Sequence, residues 1–372
     1  MRTDDEIRAA AEALREVGTR ARVYLSMPVI EGVTPRALVE GDGNLTDDPG
    51  GLPRKDGIFR LDEVGLSPMD HVALYGDAAF EGILIRNHSI FLYREHMERM
   101  ERSLEKIAIE MPMDRVTLTQ RMLETAQQVN LPEGNGYIRL VVTRGMGDLG
   151  INPKKCVSPT VFMIVSTIRL YAREAYERGI PLGLSRQIRR PNRSVLDPNI
   201  KSNNYLNNVM ALQEGTRGRN LAESLMLTDR GYVAEATVDN IFSVVRTPGW
   251  ESDPSRVEIQ TPSSEYCLPG ITRETVIQLA QKRGYKVIVR DDMLPLDLVG
   301  PDRECFMTGT GAGVMPITAI SHVNVGDGKP GPVTAGLIDD INAAMADPAN
   351  GLSVKTPLDA VAEALGEAAV RS

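Results

Sequence analysis

The sequence predicts a mixed α and β protein in two unequal parts, a small N-terminal α/β domain followed by a larger β-rich one. Three observations carry this. At 372 residues the chain has the length of one large or two ordinary domains. Short runs of β-branched and aromatic residues alternate with stretches of helical apolar periodicity. A polar stretch over 169–178 separates two sets of such runs. An apolar fraction of 42% and a charged fraction of 25% exclude a disordered or fibrous chain.

Residues 1–55 read as an N-terminal extension. Within it Ile7, Ala10, Ala11 and Leu14 recur at helical spacing, giving an amphipathic helix over 4–17 suited to docking. From Glu40 to Gly57 the chain is rich in Gly, Asp, Asn and Pro and reads as a flexible surface loop. The small domain spans 56–168. It holds a strand over 89–93, a helix over 95–109 marked by Met97, Met100, Leu104 and Ile107, and strands over 137–143 and 160–168. Residues 169–178 form the interdomain connection. The large domain, 179–333, has strands over 182–185, 224–227, 241–245 and 286–289, with helices over 203–217 and 273–283. The tail, 334–372, reads as two helices, 334–345 and 356–368, separated by Pro348 and Gly351.

A net charge of −8 without a Lys/Arg stripe argues against a nucleic-acid partner. The three cysteines, Cys156, Cys267 and Cys305, are too widely spaced for a disulfide framework or a zinc site. The four histidines show no ligand spacing either, so no metal is expected. No apolar run reaches the roughly 20 residues of a membrane span. The acidic start at Asp4, Asp5 and Glu6 lacks the features of a signal peptide, which points to the cytoplasm.

The chemistry-bearing residues lie in a few segments. Lys201 is the only lysine between Lys155 and Lys282, in Asp197-Pro-Asn-Ile-Lys201 just before a helix. Alone, a lysine in a polar loop is a solvated charge. Downstream, Glu235-Ala-Thr-Val-Asp-Asn240-Ile-Phe242 sets a carboxylate just before a strand. Leu268-Pro-Gly-Ile-Thr272-Arg273 opens a helix whose positive N-terminus suits a phosphate. By itself each is an ordinary loop, turn or helix start.

Together, over about residues 58–325, these segments resemble the class IV pyridoxal-phosphate aminotransferases, which include the branched-chain and D-amino-acid aminotransferases and aminodeoxychorismate lyase. Tyr75-Gly-Asp-Ala-Ala-Phe80-Glu-Gly82, Tyr93-Arg-Glu-His-Met-Glu-Arg99 and Phe306-Met-Thr-Gly-Thr310-Gly311-Ala312 extend the resemblance. It implies the two-domain fold type IV of pyridoxal-phosphate enzymes. Lys201 is then the covalent anchor of pyridoxal phosphate and the catalytic group that shuttles a proton between the substrate α-carbon and C4′. Glu235 faces the pyridine nitrogen and keeps it protonated. Arg99, Ile271, Thr272 and Thr310 hold the phosphate, Tyr205 lies near the phenolic oxygen, and Leu268 packs against the ring.

Among family members the stretch Thr143-Arg-Gly-Met-Gly-Asp-Leu-Gly-Ile-Asn-Pro153 is similar to the branched-chain type, because it lacks the Arg-x-His pair of the D-specific enzymes. The resemblance then implies a substrate carboxylate held by Gly311, Ala312 and Tyr137. Tyr75, Phe80 and Arg139 line the side-chain pocket, and Arg139 meets the distal carboxylate of glutamate. The substrates are an amino acid and a 2-oxo acid, the mechanism ping-pong, and the assembly a homodimer or higher homo-oligomer. The sequence departs from the family pattern at Gly313, at Leu84 and in a long hairpin between Phe242 and Ile259. The alternatives are a D-amino-acid aminotransferase, a β-eliminating lyase of the same fold and, outside catalysis, a silent binding module.

Overall fold

A run such as Ala78–Arg86, apolar at nearly every position, has the composition of a strand covered on both faces, and its neighbours complete a sheet. The computed structural model describes residues 3–40, 42–47, 51–167 and 171–366. The chain forms two units: Met1–Ile168 with Ser202–Asn204 and Pro348–Ser372, and Arg169–Lys201 with Tyr205–Asp347.

The first unit runs α1 (Asp4–Arg20), β1 (Arg22–Pro28), α2 (Arg36–Glu40), β2 (Asn44–Asp47), β3 (Pro53–Arg60), α3 (His71–Tyr75), β4 (Ala78–Arg86), β5 (Ser89–Phe91), α4 (Tyr93–Lys106), α5 (Arg115–Gln127), β6 (Gly136–Thr143) and β7 (Thr160–Ser166). Its antiparallel sheet has the order β5-β4-β6-β7-β1-β3-β2, with the late strand Gly351–Ser353 added outside β5. Met97, Met100 and Leu104 of α4 and Leu118, Met122 and Leu123 of α5 are buried with Ile83, Ile138, Leu140 and Val165 in one core. Each such side chain contributes about 1.5–3 kcal/mol of burial. Asp114 caps α5 by accepting from Thr117 N, which ends the preceding loop.

Three expectations for this unit change. The stretch read as an extension supplies β1, which is paired on both sides, with β7 and with β3. The loop expected over 40–57 contains β2 and most of β3, where Arg54, Lys55 and Asp56 are buried despite their polarity. The composition is polar, but ladder hydrogen bonds on both sides outweigh local loop preference. Finally, α1 forms with its Thr3–Glu6 capping box but buries none of its residues, with Leu14 71% exposed, so it docks against no core.

The second unit continues with α6 (Arg173–Arg178), β8 (Ile180–Leu184), α7 (Leu206–Thr216), β9 (Ser224–Leu227), β10 (Val233–Ala236), β11 (Asn240–Arg246), β12 (Val257–Pro262), α8 (Ile271–Lys282), β13 (Lys286–Arg290), β14 (Arg303–Gly309), β15 (Gly313–Ile320), β16 (Val323–Asn324) and α9 (Pro332–Ala346). Its sheet is mixed, in the order β10-β9-β8-β15-β14-β11-β12-β13, with β16 on β15. The expected connection over 169–178 is therefore partly a helix: Tyr176 of α6 donates from its hydroxyl to Ala312 O at 2.9 Å. The tail also divides. Its first helix, α9, belongs to this unit, whereas the residues after Pro348 return to the first as β17 (Gly351–Ser353) and short turns over 358–364. Only part of the second helix expected there forms, and its last residues, 367 and 368, lie outside the described residues.

Candidate functional site

In the second unit the loop before α7 is fixed by its own side chains. Asp197 accepts from Asn199 N at 3.0 Å, and the Asn199 amide donates to Ser264 O and Cys267 O. This ties the Lys201 loop to the segment leading into Leu268. Tyr205 occupies the position just before α7. Asn208 on α7 donates to Thr237 O at 2.6 Å, joining the helix to the turn between β10 and β11.

Glu235 sits within β10, paired opposite Met226, rather than just before a strand as its sequence suggests. It is buried and heavily engaged. Its carboxylate accepts from Arg190 Nε at 2.6 Å, Leu268 N at 3.2 Å and Asn240 Nδ2 at 3.3 Å. Burial raises its pKa above the ordinary carboxylate value, and the opposing pull of Arg190, Leu268 N and Lys201 does not cancel it. Leu268 thus reaches Glu235 through its backbone N–H.

Asn240 also donates to Leu268 O at 2.9 Å, holding the entry to α8. Gly270 caps that helix in an extended conformation, so the N–H groups of Ile271 and Thr272 fall in its first turn, where no intrahelical acceptor exists. Thr308 pairs across from Asn240, on the same face, and its buried hydroxyl has no hydrogen-bond partner. Thr310, Gly311 and Ala312 form the turn between β14 and β15. Helix N–H groups, an unpartnered buried hydroxyl and a buried carboxylate backed by arginine fit the phosphate and the ring nitrogen of pyridoxal phosphate.

The first unit gathers a second set. Phe80 on β4 and Tyr137 and Arg139 on β6 share one face, since Gly82 pairs with Arg139 and Leu84 with Tyr137. The Arg139 guanidinium lies 4.6 Å from the Phe80 ring centre and donates to the Tyr137 hydroxyl at 3.3 Å. Gly82 is required here: a Cβ would stand 1.9 Å from the Tyr137 hydroxyl. Glu81 faces the other way. It is fully buried, accepts from Arg99 Nε and Nη2, both at 2.8 Å, and lies 2.8 Å from His96 Nδ1. Burial would raise its pKa, but Arg99 and His96 hold it well below the usual carboxylate range. Arg99 is therefore clamped on the sheet face opposite Arg139. Tyr75 is not drawn into the Phe80 group by any of its named contacts, which are a hydroxyl bond to Leu149 O and an edge contact with His71.

Sequence reasoning missed four charged residues. Arg190 lies among Arg186, Arg189 and Arg193 with no periodicity to single it out. Glu223 precedes a strand as an ordinary polar residue, and Glu81 and Asp239 stand inside recognised segments but read as spacers. Among the described residues no group of three His, Cys, Asp or Glu is placed to hold a metal ion. None of the described helices is long and apolar enough to cross a membrane.

Comparison with known proteins gives a consistent set of likenesses. The amino-transferase class IV family matches residues 78–320. A Methanocaldococcus jannaschii protein, provisionally named a branched-chain-amino-acid aminotransferase, is 37% identical over 277 residues, 73% of this chain and 88% of that one. The Escherichia coli (strain K12) branched-chain-amino-acid aminotransferase is 28% identical over 74% of this chain and 87% of its own length. Among solved structures, the T.th. branched-chain amino acid aminotransferase with pyridoxamine 5'-phosphate superposes with a TM-score of 0.70 at 28% identity, covering 83% of this chain and 97% of that chain.

Proposed function

Since the chain belongs to the class IV aminotransferases, we propose that it moves the amino group of branched-chain L-amino acids to 2-oxoglutarate by a ping-pong mechanism. Its cofactor is pyridoxal phosphate, as in the family and in the T.th. relative solved with pyridoxamine 5'-phosphate. The observation that carries the substrate assignment is Arg139 stacked on Phe80 and bonded to Tyr137. One face then offers an aromatic wall for a branched side chain and a guanidinium for the distal carboxylate of glutamate. The N–H groups of Gly311 and Ala312 take the α-carboxylate.

When bound, the cofactor supplies an electron sink for the charge that develops at the α-carbon. The protein supplies the rest. Lys201 Nζ takes the α-proton, a single positioned shuttle worth on the order of 10²–10⁴ in rate. Glu235, held by Arg190, keeps a proton at the pyridine nitrogen. Ile271 and Thr272 N–H, Thr310 and Arg99 bind the phosphate, and Glu81 fixes the orientation of Arg99. Tyr205 bonds the phenolic oxygen, with Leu268 against the ring. The enzyme works in the cytoplasm as a homodimer.

A panel of amino donors with 2-oxoglutarate tests this reading. Leu, Ile and Val should be good donors and D-Ala a poor one. Arg139→Met should raise KM for 2-oxoglutarate far more than for the branched oxo acids, because only the dicarboxylate loses a charge-assisted bond. D-Ala or D-Glu outpacing L-Leu, or equal losses for both classes of oxo acid, would overturn the assignment.

A further inference from the structure

We propose that Asp239 takes up a proton when an anion binds at the Thr310–Ala312 turn, so that anion binding in the second unit is coupled to the protonation of this one carboxyl group. The inference rests on reading that turn as an anion site, and it adds a group outside the set that holds the cofactor.

The placement comes first. Asp239 closes the turn between β10 and β11, where its carbonyl accepts from Ala236 N at 2.8 Å. It directly precedes Asn240, which pairs with Thr308, so Asp239 falls opposite Gly309. The contact is close: a Cβ at Gly309 would lie 1.8 Å from Asp239 Oδ1, so only glycine fits at the mouth of the turn. Asp239 is 5% exposed, and its Oδ2 has no hydrogen-bond partner.

Three buried carboxyl groups, Glu223, Glu235 and Asp239, interact electrostatically here, and their donors are unequally shared. Glu223 accepts from Ser224 N at 2.7 Å, Thr237 N at 3.0 Å and the Thr237 hydroxyl. Glu235 has Arg190, Leu268 N and Asn240. Asp239 has no donor for Oδ2, so it is the member of the cluster that most readily carries the proton. The charged and titratable groups that act on it are Glu223, Lys201, Glu235 and Tyr171. Burial and then Glu223 push Asp239 up to about 7, with Lys201 opposing.

A carboxyl poised there is partly ionised at neutral pH. A phosphate or carboxylate arriving at the turn adds negative charge next to it and favours the protonated form. By linkage, the anion then binds more weakly as the pH rises above about 7, by up to tenfold per pH unit. The anion can be the cofactor phosphate or the substrate carboxylate, and two probes separate them.

The test is calorimetry in buffers of different ionisation enthalpy, which counts protons taken up on binding. One arm titrates apo-protein with pyridoxamine 5'-phosphate, which needs no bond to Lys201. The other titrates holoenzyme with 4-methylvaleric acid. The inference expects uptake of a substantial fraction of a proton slightly above neutral pH in at least one arm, and that arm identifies the anion. Asp239→Asn should abolish this uptake and flatten the dependence of affinity on pH. Glu223→Gln removes a neighbour that raises the Asp239 pKa and should move the uptake to lower pH, which keeps the test available if Asp239→Asn folds poorly. Binding of both probes with proton uptake unchanged in both variants would overturn this inference alone. Failure of the wild-type protein to bind either probe would overturn the cofactor reading and this inference with it.

Discussion

At the scale of single residues, the site depends on charges that are buried only because they are matched. Lys201→Ala should abolish turnover, since it removes both the proposed anchor and the proposed proton shuttle. Half-reaction spectra with excess amino donor check this, and conversion of the aldehyde to the amine form at near wild-type rate would contradict it. Arg190 carries a prediction of a different kind. Arg190→Met removes the charged hydrogen-bond donor of buried Glu235, leaving Leu268 N, Asn240 and the electrostatic pull of Lys201, and should destabilise the protein by about 3–5 kcal/mol, the cost of breaking a buried pair from one side. Glu235→Gln added to that variant should recover much of the loss in denaturant unfolding, and simple additivity of the two changes would argue that the pair is not coupled. Lys201 and Glu235 stand in segments with fixed offsets, which is what singles them out in the sequence as candidates. Arg190 is not so marked, because its partner is 45 residues away and only the fold brings them together.

At the scale of elements, strongly patterned segments were legible and ladder-dependent ones were not. The helix expected over 95–109 is α4, and the strands expected over 137–143 and 224–227 are β6 and β9. By contrast β3 carries Arg54, Lys55 and Asp56, whose burial is decided by long-range partners: Arg54 donates to Ser26 O and Pro159 O, and Asp56 accepts from the Tyr24 hydroxyl. No local propensity encodes such contacts. The position of the Arg190 segment likewise depends on one residue of α7. Glu214 accepts from Arg186 N, Gln187 N, Ile188 N and the Ser185 hydroxyl. Burial alone would raise its pKa, but these donors lower it from 4.5 to about 2. A lowered folded-state pKa contributes stability that is fully present above the unfolded value and lost as the pH falls through the folded one. Wild-type protein should therefore exceed Glu214→Gln in urea midpoint at about pH 5, and the gap should narrow towards about pH 2. A gap independent of pH would show that the ionised carboxylate is not what holds the loop.

At the scale of the whole molecule, the assembly is the first thing to measure. The loop from Met146 to Asn152 is held at its base by Gly147 N to Met69 O and by His71 to Asp148 O, yet Leu149 and Ile151 are 72% and 80% exposed at its tip. In the proposed homodimer this tip closes the neighbour's substrate pocket. Leu149→Asp with Ile151→Asp should then give monomers by light scattering and depress turnover together, whereas full activity in a monomer would remove the dimer from the mechanism. The second unit begins at Arg169, at the head of the polar stretch that the sequence marks. The return of the C-terminal segment to the first unit is not marked, because three residues of strand leave no periodic signature. That return has a consequence for biosynthesis. Gly351–Ser353 is the outermost strand of a sheet whose other members all lie before residue 167. A ribosome must therefore translate the entire second unit before the first can close its border at β5. A nascent chain halted near residue 347 would expose the open backbone of Ser89–Phe91, the kind of edge that recruits other chains, and translation through Ser353 is what seals it.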